Sequence, residues 1–154
     1  MDMELNLNTE SVALAQPSPP LIVEPGTTVG VVLRLLRLEK RGCVLVCRDD
    51  VLQGSFTERE AVRVMADGGP WDAPIEQFMF RKPPTLRPAD MVLTAIRKLS
   101  FSGQRRLPIV DENGHPVGVI KLSRIVHYLV EHVSKAVYTL PPKPNVLLQE
   151  REGA

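Results

Sequence analysis

Gly54-Ser55-Phe56-Thr57-Glu58-Arg59-Glu60 follows a short apolar run and opens a helical pattern, so it reads as a strand turning into a helix. A helix N-terminus carries about half a positive charge and unpaired N–H groups, which suit an anion or a polar ligand. Thr57 puts a hydroxyl at that end, and Glu60 puts a carboxylate one turn further on. The same Thr-x-x-Glu spacing is also a capping box, in which both side chains satisfy the helix's own N–H groups. These residues alone leave both readings open.

The pattern recurs. Gly118, Ile120 and Val126 stand 64 positions after Gly54, Phe56 and Val62. Upstream the offset is 63: Val12 precedes Ile75, Pro20 precedes Pro83, and Pro25 precedes Pro88. At that offset Val29, Val32, Leu33 and Leu36 align with Val92, Ala95, Ile96 and Leu99. Each set has the i, i+3, i+4, i+7 spacing of one helical stripe. One extra residue in the second half's turn explains the change of offset. The period exceeds that of solenoid repeats, so a small unit has been duplicated.

Each unit begins with an extended piece near a proline, 21–23 or Thr85-Leu86. A helix follows, with Thr27 or Thr28 as N-cap in the first copy and Asp90 in the second. The helices are expected to stop near Gly42 and Gly103. Then come an apolar strand (Cys43–Cys47 or Leu107–Val110), a polar turn, and a second strand ending at Phe56 or Ile120. The turns are Arg48-Asp49-Asp50 and Asp111-Glu112-Asn113-Gly114; Asn-Gly is a tight-turn pair. The closing helices span 58–67 and 122–133. A single β-α-β-β-α unit is too small to bury a core well. The expected fold class is therefore α/β (mixed α+β), with two tandem units packed sheet to sheet about a pseudo-twofold axis. The expected boundaries are 12–72 and 73–133, flanked by a flexible 1–11 and a proline-containing tail, 134–154. The turn-rich stretch Asp67-Gly68-Gly69-Pro70-Trp71-Asp72 joins the units, with Trp71 as a packing anchor.

Composition narrows the function classes. Apolar residues make up 44% of the 154, enough for a core, and the net charge is +1. That balance argues against wrapping nucleic acid or lying on an acidic membrane. No apolar run approaches a membrane span, and Met-Asp-Met-Glu does not open a secretory signal, so cytoplasmic work is expected. Cys43 and Cys47 share a strand face and read as buried free thiols. His127 and Glu131 lie four apart on a helix but lack the further ligands of a zinc site. His115 falls in a turn, and Gly68-Gly69 is followed by no Gly-Lys-Ser/Thr, so it is no phosphate loop. No nucleophile motif is present, and no enzyme activity is expected.

The duplication, the Gly-h-h-Thr-x-x-acid turn (h, an apolar or small residue) and Arg106-Leu107-Pro108-Ile109-Val110-Asp111 together resemble the CBS domain pair, or Bateman module, over about residues 12–133. The resemblance implies a non-catalytic module that binds an adenosine-containing ligand between its repeats. AMP, ADP, ATP or S-adenosylmethionine would act there as a regulatory ligand. It further implies a homodimer and a regulated protein partner. Carried over, cleft one joins Ser55, Thr57 and Glu60 to Thr85, Leu86, Arg105, Arg106, Leu107 and Pro108. Glu60 stands where the family has an aspartate, one methylene longer. Cleft two joins Val119, Lys121 and Arg124 to Ile22, Val23, Cys43, Val44 and Leu45. There the hydroxyl has become Lys121 and the acid Arg124, and arginine cannot accept a hydrogen bond from a ribose diol. Cleft two is expected to be empty or to take an anion without reading a ribose. The alternative is a ligand-free dimeric adaptor of the same fold.

Overall fold

The computed structural model describes residues 10–137, with side chains up to residue 132. In chain order the elements are β1 (Ile22–Val23), α1 (Val29–Leu38), β2 (Cys43–Arg48), β3 (Val51–Thr57), α2 (Glu58–Ala66), β4 (Phe80–Arg81), α3 (Val92–Ser102), β5 (Arg106–Val110), β6 (Pro116–Lys121) and α4 (Leu122–Val137). Short 3-10 turns occupy Val12–Ala15 and Ile75–Gln77. Most of the expected tail lies outside the described residues.

The helices form where the apolar stripes fall, but their ends are settled differently in the two halves. Thr28 caps α1, its hydroxyl accepting from Val31 N–H at 3.3 Å. In α3 the N-cap is Met91, not Asp90, and no side chain caps it. The Asp90 carboxylate instead accepts from the Arg87 N–H at 2.8 Å, a local side-chain-to-backbone bond that points back along the chain and competes with capping. Gly103 ends α3 in the left-handed region, with φ 68°. Gly42 does not end α1. Glu39 is that C-cap, and Lys40 takes the positive φ, 51°.

The first sheet runs β1-β2-β3-β4, with β1 parallel to β2 and the other pairs antiparallel. In the second half β5 pairs antiparallel with β6. Leu86 bridges Ile109 in parallel, as β1 does β2, and Ser18 bridges Val119, as β4 does β3. The outer pieces are thus exchanged. The segment after the linker closes the first sheet, and the N-terminal segment closes the second. Backbone bonds repeat at the 63-residue offset: Val29 N–H donates to Ala73 O (3.0 Å) and Val92 N–H to Glu10 O (2.9 Å). Ile75 N–H donates to Thr27 O (2.7 Å) and Val12 N–H to Asp90 O (2.9 Å).

The cores follow this exchange. Ile75 is buried with Val29, Val32, Val44 and Phe56, whereas Val12 is buried with Val92, Leu107, Ile120 and Ile125. A third cluster, Cys43, Leu45, Cys47 and Val119, lies between the sheets. Its two cysteines are free and share one face as expected, and burial pushes each thiol up to about 11. Trp71 departs from expectation: the residue is 45% exposed. The linker is held there by backbone, Gly30 N–H donating to Trp71 O at 2.8 Å.

Candidate functional site

β3 carries Thr57 to the first turn of α2, where the capping box is formed. Glu60 Oε2 accepts from the Thr57 N–H at 2.8 Å and from the Thr57 hydroxyl at 2.5 Å. The hydroxyl in turn accepts from Arg59 N–H at 3.3 Å. Glu60 is only 6% exposed, so this bonding satisfies a buried carboxylate that would otherwise be costly. Both of these bonds fall on Glu60 Oε2, so one carboxylate oxygen closes the cap.

Beside that turn opens a groove of about 590 Å³ lined by Thr57, Glu58, Arg59, Val62, Arg63, Gly103, Gln104, Arg105 and Arg106. Its walls come from both halves. The left-handed Gly103 turn delivers Arg105 and Arg106 to the start of β5, facing the start of α2. Arg106 reaches across the halves, with Nη2 3.5 Å from Glu58 Oε1. Arg106 is 19% exposed and Glu58 69%. An ion pair exposed on one side contributes little stability by itself. A Cβ at position 42 would meet the ends of both side chains, so a larger residue there would push the Glu58 carboxylate and the Arg106 guanidinium aside. The Arg106 Nε has no hydrogen-bond partner. The same guanidinium pulls the Cys43 thiol down, though burial outweighs it.

A second recess of about 500 Å³ adjoins the first, lined by Glu58, Arg105, Arg106, Lys121, Leu122, Ser123 and Val126. Glu58, Arg105 and Arg106 are common to both.

Of the expected cleft-one residues, Thr57, Arg105 and Arg106 meet on the groove. Ser55, Glu60, Leu86, Leu107 and Pro108 are buried and do not line it, so the acid expected at the ribose stands behind Thr57 rather than on the groove wall. Thr85 is half-buried, its carbonyl accepting from Lys98 Nζ at 2.5 Å. The separation has a cause in register. Leu86 bridges Ile109, three residues along β5 from Arg106, or roughly 10 Å away. Arg59 and Arg63, one turn apart on the outer side of α2, line the groove but were not among the expected residues. Their spacing after Thr57 was the available signal.

Cleft two is not assembled as expected. Lys121 lies on the recess beside Arg105 and Arg106, and Arg124 lines a small depression with His127 and Tyr128. Ile22 and Val23 line a cavity at the far end of β1, with Cys47 and Asp49. Cys43, Leu45 and Val119 fill the space between with apolar side chains. Among the described residues no group of three His, Cys, Asp or Glu side chains could hold a metal. His127 and Glu131 form an exposed pair at 3.1 Å. No helix of the described residues is long and apolar enough to cross a membrane.

The family model described as CBS domain matches residues 14–67 and 75–131. The chain belongs to the CBS domain family. The CBS domain-containing protein YhcV of Bacillus subtilis is 30% identical over 101 residues, covering 65% of this chain and 71% of YhcV. The CBS domain protein PAE2072 from Pyrobaculum aerophilum, solved complexed with AMP, matches with a TM-score of 0.70 at 22% identity. That match covers 79% of this chain and 98% of PAE2072. The CBS domain pair of protein MJ0100, in complex with 5′-methylthioadenosine and S-adenosyl-L-methionine, also gives a TM-score of 0.70, at 18% identity. It covers 77% of this chain and 98% of that one. At those identities the two structures speak for the CBS-pair fold.

Proposed function

We propose that this chain is a non-catalytic regulatory module whose groove between the repeats takes an adenosine-containing ligand. AMP, ADP, ATP and S-adenosylmethionine are the candidates, and a partner protein reads the occupied state. The observation that carries this is the composition of the groove. A hydroxyl at a helix start faces four arginines, drawn from both halves, around a volume suited to a small ligand. Guanidinium groups are well matched to phosphate. PAE2072 and MJ0100, with the same fold, are described in complex with adenosine compounds. A ligand touching both halves shifts their arrangement only by its differential affinity for the two states. Reading the ribose through Glu60 requires this buried carboxylate, whose Oε2 holds the cap, to turn its Oε1 toward the groove. Exposed Val62 and Met65 on α2, and Val126 and Val130 on α4, offer an apolar face for a second copy, in keeping with a twofold homodimer.

A ligand-free dimeric adaptor is the second reading, and the occupied cap at Thr57 and Glu60 favours it. Thermal shift separates the two. A ligand at a hundred times its dissociation constant adds about 2.7 kcal/mol. Arg105→Ala, at an exposed side chain, is expected to weaken nucleotide binding at least about tenfold without lowering the melting temperature. If none of the four ligands moves the melting point at millimolar concentration, the adaptor reading replaces this one.

A further inference from the structure

The groove and its neighbouring recess share Glu58, Arg105 and Arg106. Across that shared wall, Lys121 is the β6 partner of Arg106. The two hollows together present Arg59, Arg63, Arg105, Arg106 and Lys121 against one acid, Glu58. Of these cations only Arg106 has a carboxylate within 4 Å among the described residues, and that carboxylate is the exposed Glu58. This is more uncompensated positive charge than one phosphate group can neutralise. Lys121 stands where the first half has the Thr57 hydroxyl. A lysine there provides a point charge on a long stem rather than a second sugar contact.

We infer that the groove's ligand is a nucleoside di- or triphosphate, whose phosphate chain crosses the start of β5 toward Lys121. Lys121 is then the residue that selects it over the monophosphate. This rests on the nucleotide reading above. The chain's phosphates replace Glu58 as the partner of Arg106 and extend into the recess, where Lys121 and Arg105 hold the distal groups. Glu58 opposes the exchange, so it sets how much phosphate charge is needed to enter.

Calorimetric titration of the full chain with AMP, ADP and ATP in magnesium-free buffer tests this. ATP is expected to bind at least about tenfold more tightly than AMP. Lys121→Ala removes most of that advantage and leaves AMP affinity within roughly twofold. Glu58→Gln strengthens ATP more than AMP. The inference is overturned if AMP binds wild type as tightly as ATP, or if Lys121→Ala weakens both equally. It is also overturned if the ATP advantage survives Lys121→Ala but not Arg63→Ala, since the phosphates would then run the other way along α2. In those cases nucleotide binding itself still stands. If no nucleotide binds at all, the function proposed for the groove fails and takes this inference with it.

Discussion

The turns Gly54–Glu60 and Gly118–Arg124 occupy the same place in the two halves, yet they share only their apolar framework. Phe56 and Ile120 are both fully buried, and Gly54 and Gly118 both sit under a crossing segment. The polar positions diverge. Thr57 and Glu60 close a capping box, whereas Lys121 and Arg124 face two separate hollows. At the second turn the first helical N–H, that of Leu122, is satisfied by the Arg105 carbonyl at 2.7 Å. Duplication therefore preserved what packing requires and left the helix-start chemistry free to change. That freedom makes one side of the interface a hydroxyl-and-acid turn and the other a cationic wall.

The most damaging way to test this equivalence is to truncate both buried anchors. Phe56→Ala is expected to cost about 3–5 kcal/mol and Ile120→Ala about 2–5 kcal/mol by urea denaturation. A small cost at either would show that the two cores are not equivalent. The glycines should separate the halves. At Gly54 an added Cβ would stand 2.6 Å from Met79 Sδ and 2.8 Å from the Phe80 carbonyl, whereas at Gly118 the nearest atoms are at 3.4 Å. Gly54→Ala should therefore cost about 1–3 kcal/mol through overpacking. Gly118→Ala should stay within about 0.5 kcal/mol. Equal melting temperatures for the two variants would contradict the tighter crossing over β3.

A smaller contrast lies at the helix starts. Thr57→Ala removes a cap and should cost about 1 kcal/mol, while Arg124→Ala, at an exposed side chain, should change stability by less than about 0.5 kcal/mol. The smallest effect concerns the hairpin turns. In the second turn, backbone N–H groups of His115 and Asn113 hold the Asp111 carboxyl below its ordinary 3.8. A lowered carboxylate stabilises the fold above that ordinary value and loses its contribution as pH falls through the lowered one. Asp111→Asn should narrow the gap between melting temperatures measured near about pH 6 and about pH 3. An unchanged gap would mean that this turn does not discriminate between the two charge states.

Much of this was legible in the chain. The period showed two units, and the stripes at Val29–Leu36 and Val92–Leu99 placed their helices. Cys43 and Cys47 were readable as buried thiols because alternation along a strand is a local property. The ends of helices were less legible. Asp90 looked like a cap, but its carboxylate was closer to an amide three residues before it. Gly42 looked like a helix stop, but the helix ends at Glu39 and Lys40 takes the left-handed turn.

Amino-acid order alone determined the repeat, the strand-to-helix turns and the chemical types available at each, because periodicity and capping act over a few residues. It could not determine which of those residues meet. The exchange of outer segments, the burial of Leu107 and Pro108 away from the groove, and the gathering of Arg59, Arg63, Arg105, Arg106 and Lys121 around Glu58 depend on strand register and on the contact between halves. Those are set by long-range packing, in which residues far apart in the chain compete for the same space, and only the folded molecule resolves that competition.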